Sequence, residues 1–244
     1  MVRKKNNNVA IVICGHGSRD TEYKKDFLKF KRKINLKIDS TDIFHCFIEI
    51  NQPSISNCLK KILKNYKKIV FFPLLLFSGK HHEIDIKKKI IEFNKEFSVT
   101  IKLLDKLSLI KEILPIIKNT ITKKIKKKHG NVLITSCSPS TKNNVRNELK
   151  KYTDGLSKNI FKKKIFHFIG NENKIIEKLK KQYPKSKKII LHPVFLFNGS
   201  LYKKNKSFFQ KRFKSKITIL KPIINKREII ELINDKLINE IQSL

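Results

Sequence analysis

Residues 9–20 read VAIVICGHGSRD and residues 131–142 read NVLITSCSPSTK, and the two stretches are versions of one segment. Each is a short apolar run followed by a turn of small residues. The pairing continues along the chain. FHCFIEINQP (44–53) matches IFHFIGNENK (165–174), and IVFFPLLLFSGKHHEID (69–85) matches IILHPVFLFNGSLYKKN (189–205). This alignment sets His16 over Cys137 and Glu49 over Gly170, both 121 residues apart. It sets Pro73 over Pro193 and His81 over Leu201, both 120 apart. Both copies keep the framework, and only the first keeps the His, Glu and His.

Runs such as AIVIC, IVFFPLLLF and IILHPVFLF are apolar at every position. Strands covered on both faces of a parallel sheet read this way, whereas a half-solvated strand alternates. The pattern predicts strands at 9–14, 43–48, 68–74 and 98–104, with helices at 19–35, 53–65, 82–96 and 108–127. It then restarts, with strands at 131–136, 164–169, 187–193 and 216–220 and helices at 141–153, 171–182, 200–213 and 225–242. A βα unit repeated four times, twice over, predicts two tandem α/β domains, 1–127 and 128–244. Each is expected to be a mostly parallel sheet with helices on both faces, with a cleft between the two domains.

Composition narrows the function classes. No apolar run approaches the ~18 residues of a membrane span. The basic-then-apolar start is too short for a signal sequence and reads as a first strand, which predicts a cytoplasmic protein. Cys14, Cys46, Cys58 and Cys137 have no CxxC spacing and read as buried thiols. The formal net charge is +36. Phosphate and base readout favours arginine, yet only six of the 56 basic residues are Arg, and the lysines are spread along the whole chain. That distribution argues against nucleic acid as the partner. A positive field of this size would still steer an acidic small molecule toward the protein.

In an open parallel sheet, sites form beyond the carboxyl ends of the strands. His16 follows the first predicted strand, in Gly15-His16-Gly17-Ser18-Arg19. Glu49 ends the second, and His81 follows the third after the loop 76–80. If these strands are neighbours, the three side chains meet above one sheet. Two imidazoles and a carboxylate suit a borderline divalent ion such as Co, Ni, Zn or Fe. His16, Glu49 and His81 are therefore the candidate catalytic and metal-binding residues. Asp85, four residues after His81, is a candidate to orient an imidazole. Ser18, Arg19 and Lys80 are candidates to hold a substrate carboxylate, although Ser18 also suits an N-cap. Two rival readings of the first turn are a phosphate-binding loop and a serine hydrolase. It lacks the spacing of GxGxxG and of the Walker loop, and the chain has no GxSxG elbow.

At these residues the chain resembles the sirohydrochlorin cobaltochelatases and ferrochelatases, the ATP-independent class II tetrapyrrole chelatases. The resemblance rests on GHGSR at 15–19, on FIE at 47–49 with Pro53 four residues on, and on PLLLFSGKHHEIDI at 73–86. PVFLFNGSL at 193–201 resembles the degenerate half of the long, two-domain form. The resemblance implies two flavodoxin-like domains, a divalent ion (cobalt first, iron or nickel otherwise) as substrate with no permanently bound cofactor, and sirohydrochlorin as the partner. A homo-oligomer is compatible with it. The chain departs from the pattern at Lys87, where a proline is usual, at the additional His82, and at Ser136-Cys137-Ser138-Pro139. Those departures keep open a non-catalytic metal or tetrapyrrole carrier.

Overall fold

The computed structural model describes residues 9–36, 38, 41–79, 81–97, 99–125, 130–183 and 188–244, and for 81–83 the backbone. The described residues build two separate four-stranded sheets, every pairing parallel. The first is ordered β2-β1-β3-β4, from β1 (Val9–Gly15), β2 (Thr41–Phe47), β3 (Lys68–Pro73) and β4 (Thr100–Leu103). The second repeats that order as β6-β5-β7-β8, from β5 (Asn131–Cys137), β6 (Lys163–Phe168), β7 (Lys188–Pro193) and β8 (Ile217–Ile219).

The apolar runs are two-faced, as their composition demands. Along β1, Ala10, Val12 and Cys14 point into a core capped by α2 (Ile55–Ile62) and α3 (Lys87–Phe97). The alternate residues Ile11 and Ile13 are just as buried on the other face. There α1 (Thr21–Lys33) supplies Phe27 and Phe30. Gly15 belongs to this packing, since a Cβ on it would stand 2.8 Å from the Phe27 ring. In the second sheet, α6 (Glu172–Gln182) and α7 (Ser200–Phe213) cover the face that presents Val132, Ile134 and Leu191. Helix α5 (Asn143–Ser157) lies against β5 and β6. Each α/β layer therefore carries helices on both faces of its sheet.

The division into domains differs from a cut at residues 127/128. The compact units are Met1–Leu107 with Arg227–Leu244, and Ser108–Lys226. The last helix of each half has changed partners. Helix α4 (Leu114–Lys124) packs on α5 in the second unit, where Gly155 makes room for Leu114: a Cβ there would meet Leu114 Cδ1 at 2.3 Å. Helix α8 (Arg227–Gln242) packs on β3 in the first unit. It is tied there by Lys102 to Glu240 at 2.7 Å and by Lys68 Nζ donating to the Leu244 carbonyl at 3.0 Å. An amphipathic stripe such as Ile229, Ile233 and Leu237 specifies that a helix must be covered, not which layer covers it.

The ladders also correct the alignment of the copies. Gly15 pairs with Phe47 as Cys137 pairs with Phe168, and Cys14 pairs with Pro73 as Ser136 pairs with Pro193. Gly15 therefore corresponds to Cys137, and His16 to Ser138, one residue later than the sequence match sets it. The shift of 122 also superposes the starts of α1 and α5, Thr21 and Asn143.

Candidate metal centre

The order β2-β1-β3-β4 makes β1 the strand at which the winding reverses. Helix α1 leaves toward β2 on one face, and α3 leaves β3 on the other. The crevice between the outgoing connections lies at the carboxyl ends of β1 and β3, where open α/β sheets bind ligands. His16 follows β1, Glu49 follows β2 on one side of it, and His81 follows the β3 loop on the other. Neighbouring strand ends thus bring His16 and Glu49 to one edge, while the His81 side chain lies outside the described residues.

His16 and Glu49 meet directly, with Nδ1 3.4 Å from Oε1. The two side chains are 41% and 44% exposed, so an ion can reach them from solvent. The backbone fixes their spacing, because Ile48 N–H donates to the Gly15 carbonyl (3.0 Å) and Glu49 N–H to the His16 carbonyl (3.1 Å). His16 Nδ1 also lies 3.3 Å from the Gly17 carbonyl. Both of these neighbours of Nδ1 are acceptors, which suits a proton on Nδ1. A carboxylate so placed can orient the imidazole, the role carboxylates take beside histidine metal ligands.

Gly17 is required here. Its φ is +101°, and a Cβ would lie 1.9 Å from the Glu49 carbonyl oxygen. The turn's successive N–H groups are occupied by protein oxygens. His16 and Gly17 donate to Tyr23 Oη at 3.1 and 3.3 Å, and Ser18 donates to Asn51 Oδ1 at 2.7 Å. Burial pushes the Tyr23 phenol up to about 12, so it stays protonated. A phosphate-binding loop needs those N–H groups pointing at the ligand, which removes that reading. Tyr23 and Asn51 were not singled out in the sequence. A hydroxylated aromatic in the first turn of the following helix is the signal that marks Tyr23.

The remaining candidates divide. Ser18 is not the N-cap of α1: Asp20 accepts from Glu22 N–H at 3.0 Å, while Ser18 Oγ accepts from Asp20 N–H at 3.1 Å. The helix therefore starts at Thr21. Ser18 and the exposed Arg19 open onto a groove of about 450 Å³ walled by Lys24, Lys25, Lys29 and Arg32, one stripe of α1. Lys80 lies outside the described residues. The helix expected at 82–96 begins as a π-helical turn, His81–Ile86, before α3 continues it. His81 and Asp85 are one such wide turn apart, and π-turns recur at functional sites. Asp85 is half-buried. Among the described residues no group of three His, Cys, Asp or Glu side chains is placed to hold a metal, and the His81 side chain is not among them.

Among its described residues the second unit has no equivalent centre. Ser138 and Gly170 stand where His16 and Glu49 do. Its buried histidines are structural: His192 bonds Tyr152 Oη at 3.0 Å, and burial brings it down to about 3. His167 is lowered by burial as well and packs against Phe209. No helix among the described residues is long and apolar enough to cross a membrane.

A family model described as CbiX matches residues 10–124. The sirohydrochlorin cobaltochelatase of Sulfurisphaera tokodaii is 31% identical over 83 residues, 34% of this chain and 68% of that protein. The sirohydrochlorin cobaltochelatase of Methanococcus maripaludis is 32% identical over 80 residues, 32% of this chain and 56% of that protein, so the chain spans little more than half of it. Among solved structures, SirB from Bacillus subtilis with Fe3+ has a TM-score of 0.79 at 18% identity, covering 96% of this chain and 95% of that one. The sirohydrochlorin chelatase SirB from Bacillus subtilis subspecies spizizenii in complex with cobalt has a TM-score of 0.74 at 17% identity, with the same coverage. At these identities the structures establish a shared fold.

Proposed function

The chain belongs to the CbiX family of sirohydrochlorin chelatases, and from that premise we propose that it inserts a divalent metal ion, cobalt first, into sirohydrochlorin. The observation that carries the reading is the half-exposed His16–Glu49 pair, 3.4 Å apart at the switch point of the first sheet. His16 binds the incoming ion through Nε2, and His81, beyond the other neighbouring strand, supplies a second imidazole. One divalent ion enters the macrocycle as two pyrrole N–H protons leave, so the site must pass protons as well as metal. Glu49, beside the imidazole and open to water, accepts them. Ser18, Arg19 and Lys80 hold carboxylates of the tetrapyrrole, with Asp85 behind His81. The ion is a substrate, and the reading needs no resident cofactor.

Cobalt is preferred because the archaeal relatives are cobaltochelatases by name. Iron is the second reading, since the two SirB structures carry Fe3+ and cobalt in their descriptions. The donor set does not separate these ions. The test follows the absorbance of sirohydrochlorin with purified protein and Co²⁺, Fe²⁺ or Ni²⁺ in turn. His16→Ala and His81→Ala should each lower the rate by about 100-fold or more. Near-normal rates in both variants would overturn the assignment. Tight binding of metal and macrocycle without turnover in the unmodified protein would favour a carrier.

A further inference from the structure

The first turn holds a polar arrangement that the metal chemistry does not use directly. Two adjacent backbone N–H groups, those of His16 and Gly17, converge on one phenol oxygen of Tyr23. A third, of Ser18, ends on Asn51 Oδ1. Asn51 is itself set by the Glu49 carbonyl, which accepts Asn51 N–H at 2.7 Å. The backbone on both sides of the His16 imidazole is therefore fastened to α1 by Tyr23 and to the Glu49 segment by Asn51.

The second copy shows what the fold does without a histidine to hold. With the ladder-based correspondence, His16 becomes Ser138, Gly17 becomes Pro139 and Tyr23 becomes Val145. Proline has no N–H to donate, and valine has no oxygen to accept. The imidazole, one of the donors and the shared acceptor are thus all missing together, while the strand, the turn and the helix start remain. A phenol needed only for folding would have a use in both units.

We infer that Tyr23 is a positioning residue, with Asn51 as its counterpart: it fixes the His16 imidazole against Glu49 in the orientation that accepts the ion. The inference deepens the chelatase reading and rests on it for its kinetic consequences. Its geometric core concerns the apo protein alone. Holding a reacting group within fractions of an ångström is worth orders of magnitude in rate.

Three variants test it. Tyr23→Phe keeps the ring and deletes the oxygen. Asn51→Leu deletes the second acceptor, and Asn51→Asp restores one. With histidine-labelled protein, the His16 ring resonances in the apo state should shift or broaden in Tyr23→Phe and Asn51→Leu and return in Asn51→Asp. In the metallation assay, Tyr23→Phe and Asn51→Leu should raise KM for the metal about tenfold with KM for the tetrapyrrole within about twofold, and Asn51→Asp should restore it. Tyr202→Phe, which removes a hydroxyl bonded to the Leu220 carbonyl in the second unit, is the stability control and should leave both readouts unchanged. Unaltered His16 resonances in Tyr23→Phe and Asn51→Leu would overturn the inference whatever the activity. Activity in His16→Ala would overturn the chelatase reading and leave the ring measurement to judge the positioning.

Discussion

Replacing Gly17 by alanine perturbs the site at its tightest contact. Two costs add there. The residue sits at φ +101°, and an L-residue held at positive φ loses roughly 1–2 kcal/mol. The new Cβ would also lie 1.9 Å from the Glu49 carbonyl oxygen, so the backbone of one segment must move by more than an ångström. Moving it breaks the Glu49 N–H to His16 carbonyl bond and strains Ser18 N–H to Asn51, together about 1–2 kcal/mol. The expected loss is about 3 kcal/mol, a fall of roughly 6–12 °C in the unfolding midpoint for a chain of this size. Gly170 separates the two costs: its φ is +106°, and nothing lies within 4 Å of its Cβ position. Gly170→Ala should therefore lose only the backbone share, about 1–2 kcal/mol. Thermal unfolding by circular dichroism reads both, and metallation rate should fall in Gly17→Ala alone. If Gly17→Ala loses no more stability than Gly170→Ala, the close approach of the His16 turn to Glu49 is wrong.

Other consequences follow from groups away from the site. His192 is held near 3 by burial first and by Lys226 second, so below its ordinary 6.5 the unfolded chain takes up a proton that the folded one refuses. Its contribution is whole above about pH 6.5 and is lost as pH falls toward 3, at about 1.4 kcal/mol per pH unit. Denaturant titrations of His192→Phe between pH 6 and 4 should show a shallower slope, and an unchanged slope would contradict the assignment. Burial pushes the Cys46 thiol up, and a hydrogen bond with Cys46 leads the rise at Cys58. With all four cysteines buried, an aromatic disulfide reagent should leave the folded protein unlabelled at pH 8 and label it on unfolding; rapid stoichiometric labelling of the folded state would refute this. Gly155→Ala should cost about 1 kcal/mol through Leu114, and Leu114→Ala in the same chain should recover part of it. Strict additivity of the two changes would place α4 elsewhere.

The sheet was legible because its strands are apolar without alternation, and two-faced burial has few other solutions. The pairing of His16 with Glu49 was legible for a related reason. Once the strands are parallel and wound from the centre, the residues that follow neighbouring strands must share an edge, and these two meet there. The domain division was not legible, since Ile117, Ile121, Ile229 and Ile233 record that α4 and α8 are covered but not by what. Nor was the register of the first strand pair. Cys14-Gly15 and Ser136-Cys137 are small residues that no packing pattern anchors, and a one-residue slip costs an alignment nothing while it costs a ladder every partner. The π-turn at His81 and the cap at Asp20 are local hydrogen-bond choices below the resolution of periodicity.

That one-residue correction carries the argument about the duplication further than the missing imidazoles do. Set over Cys137, His16 would have been exchanged for a thiol, and the second copy would be a centre retuned to a softer ligand. Set over Ser138, it has no such replacement. Cys137 takes the place of Gly15 at the end of β5, wholly buried, and Pro139 closes off the donor that Gly17 uses. The polar groups the second unit does keep have gone inward, where they stitch strands to helices: Ser136 Oγ to Asn205 Oδ1 at 2.7 Å, Thr135 to Thr153 at 2.5 Å, Tyr152 to His192. A turn that carries no imidazole is closed by proline, and the hydrogen bonds beside it go to the core. The first unit does the reverse, holding a half-exposed imidazole and carboxylate with a half-buried tyrosine bonded to the turn.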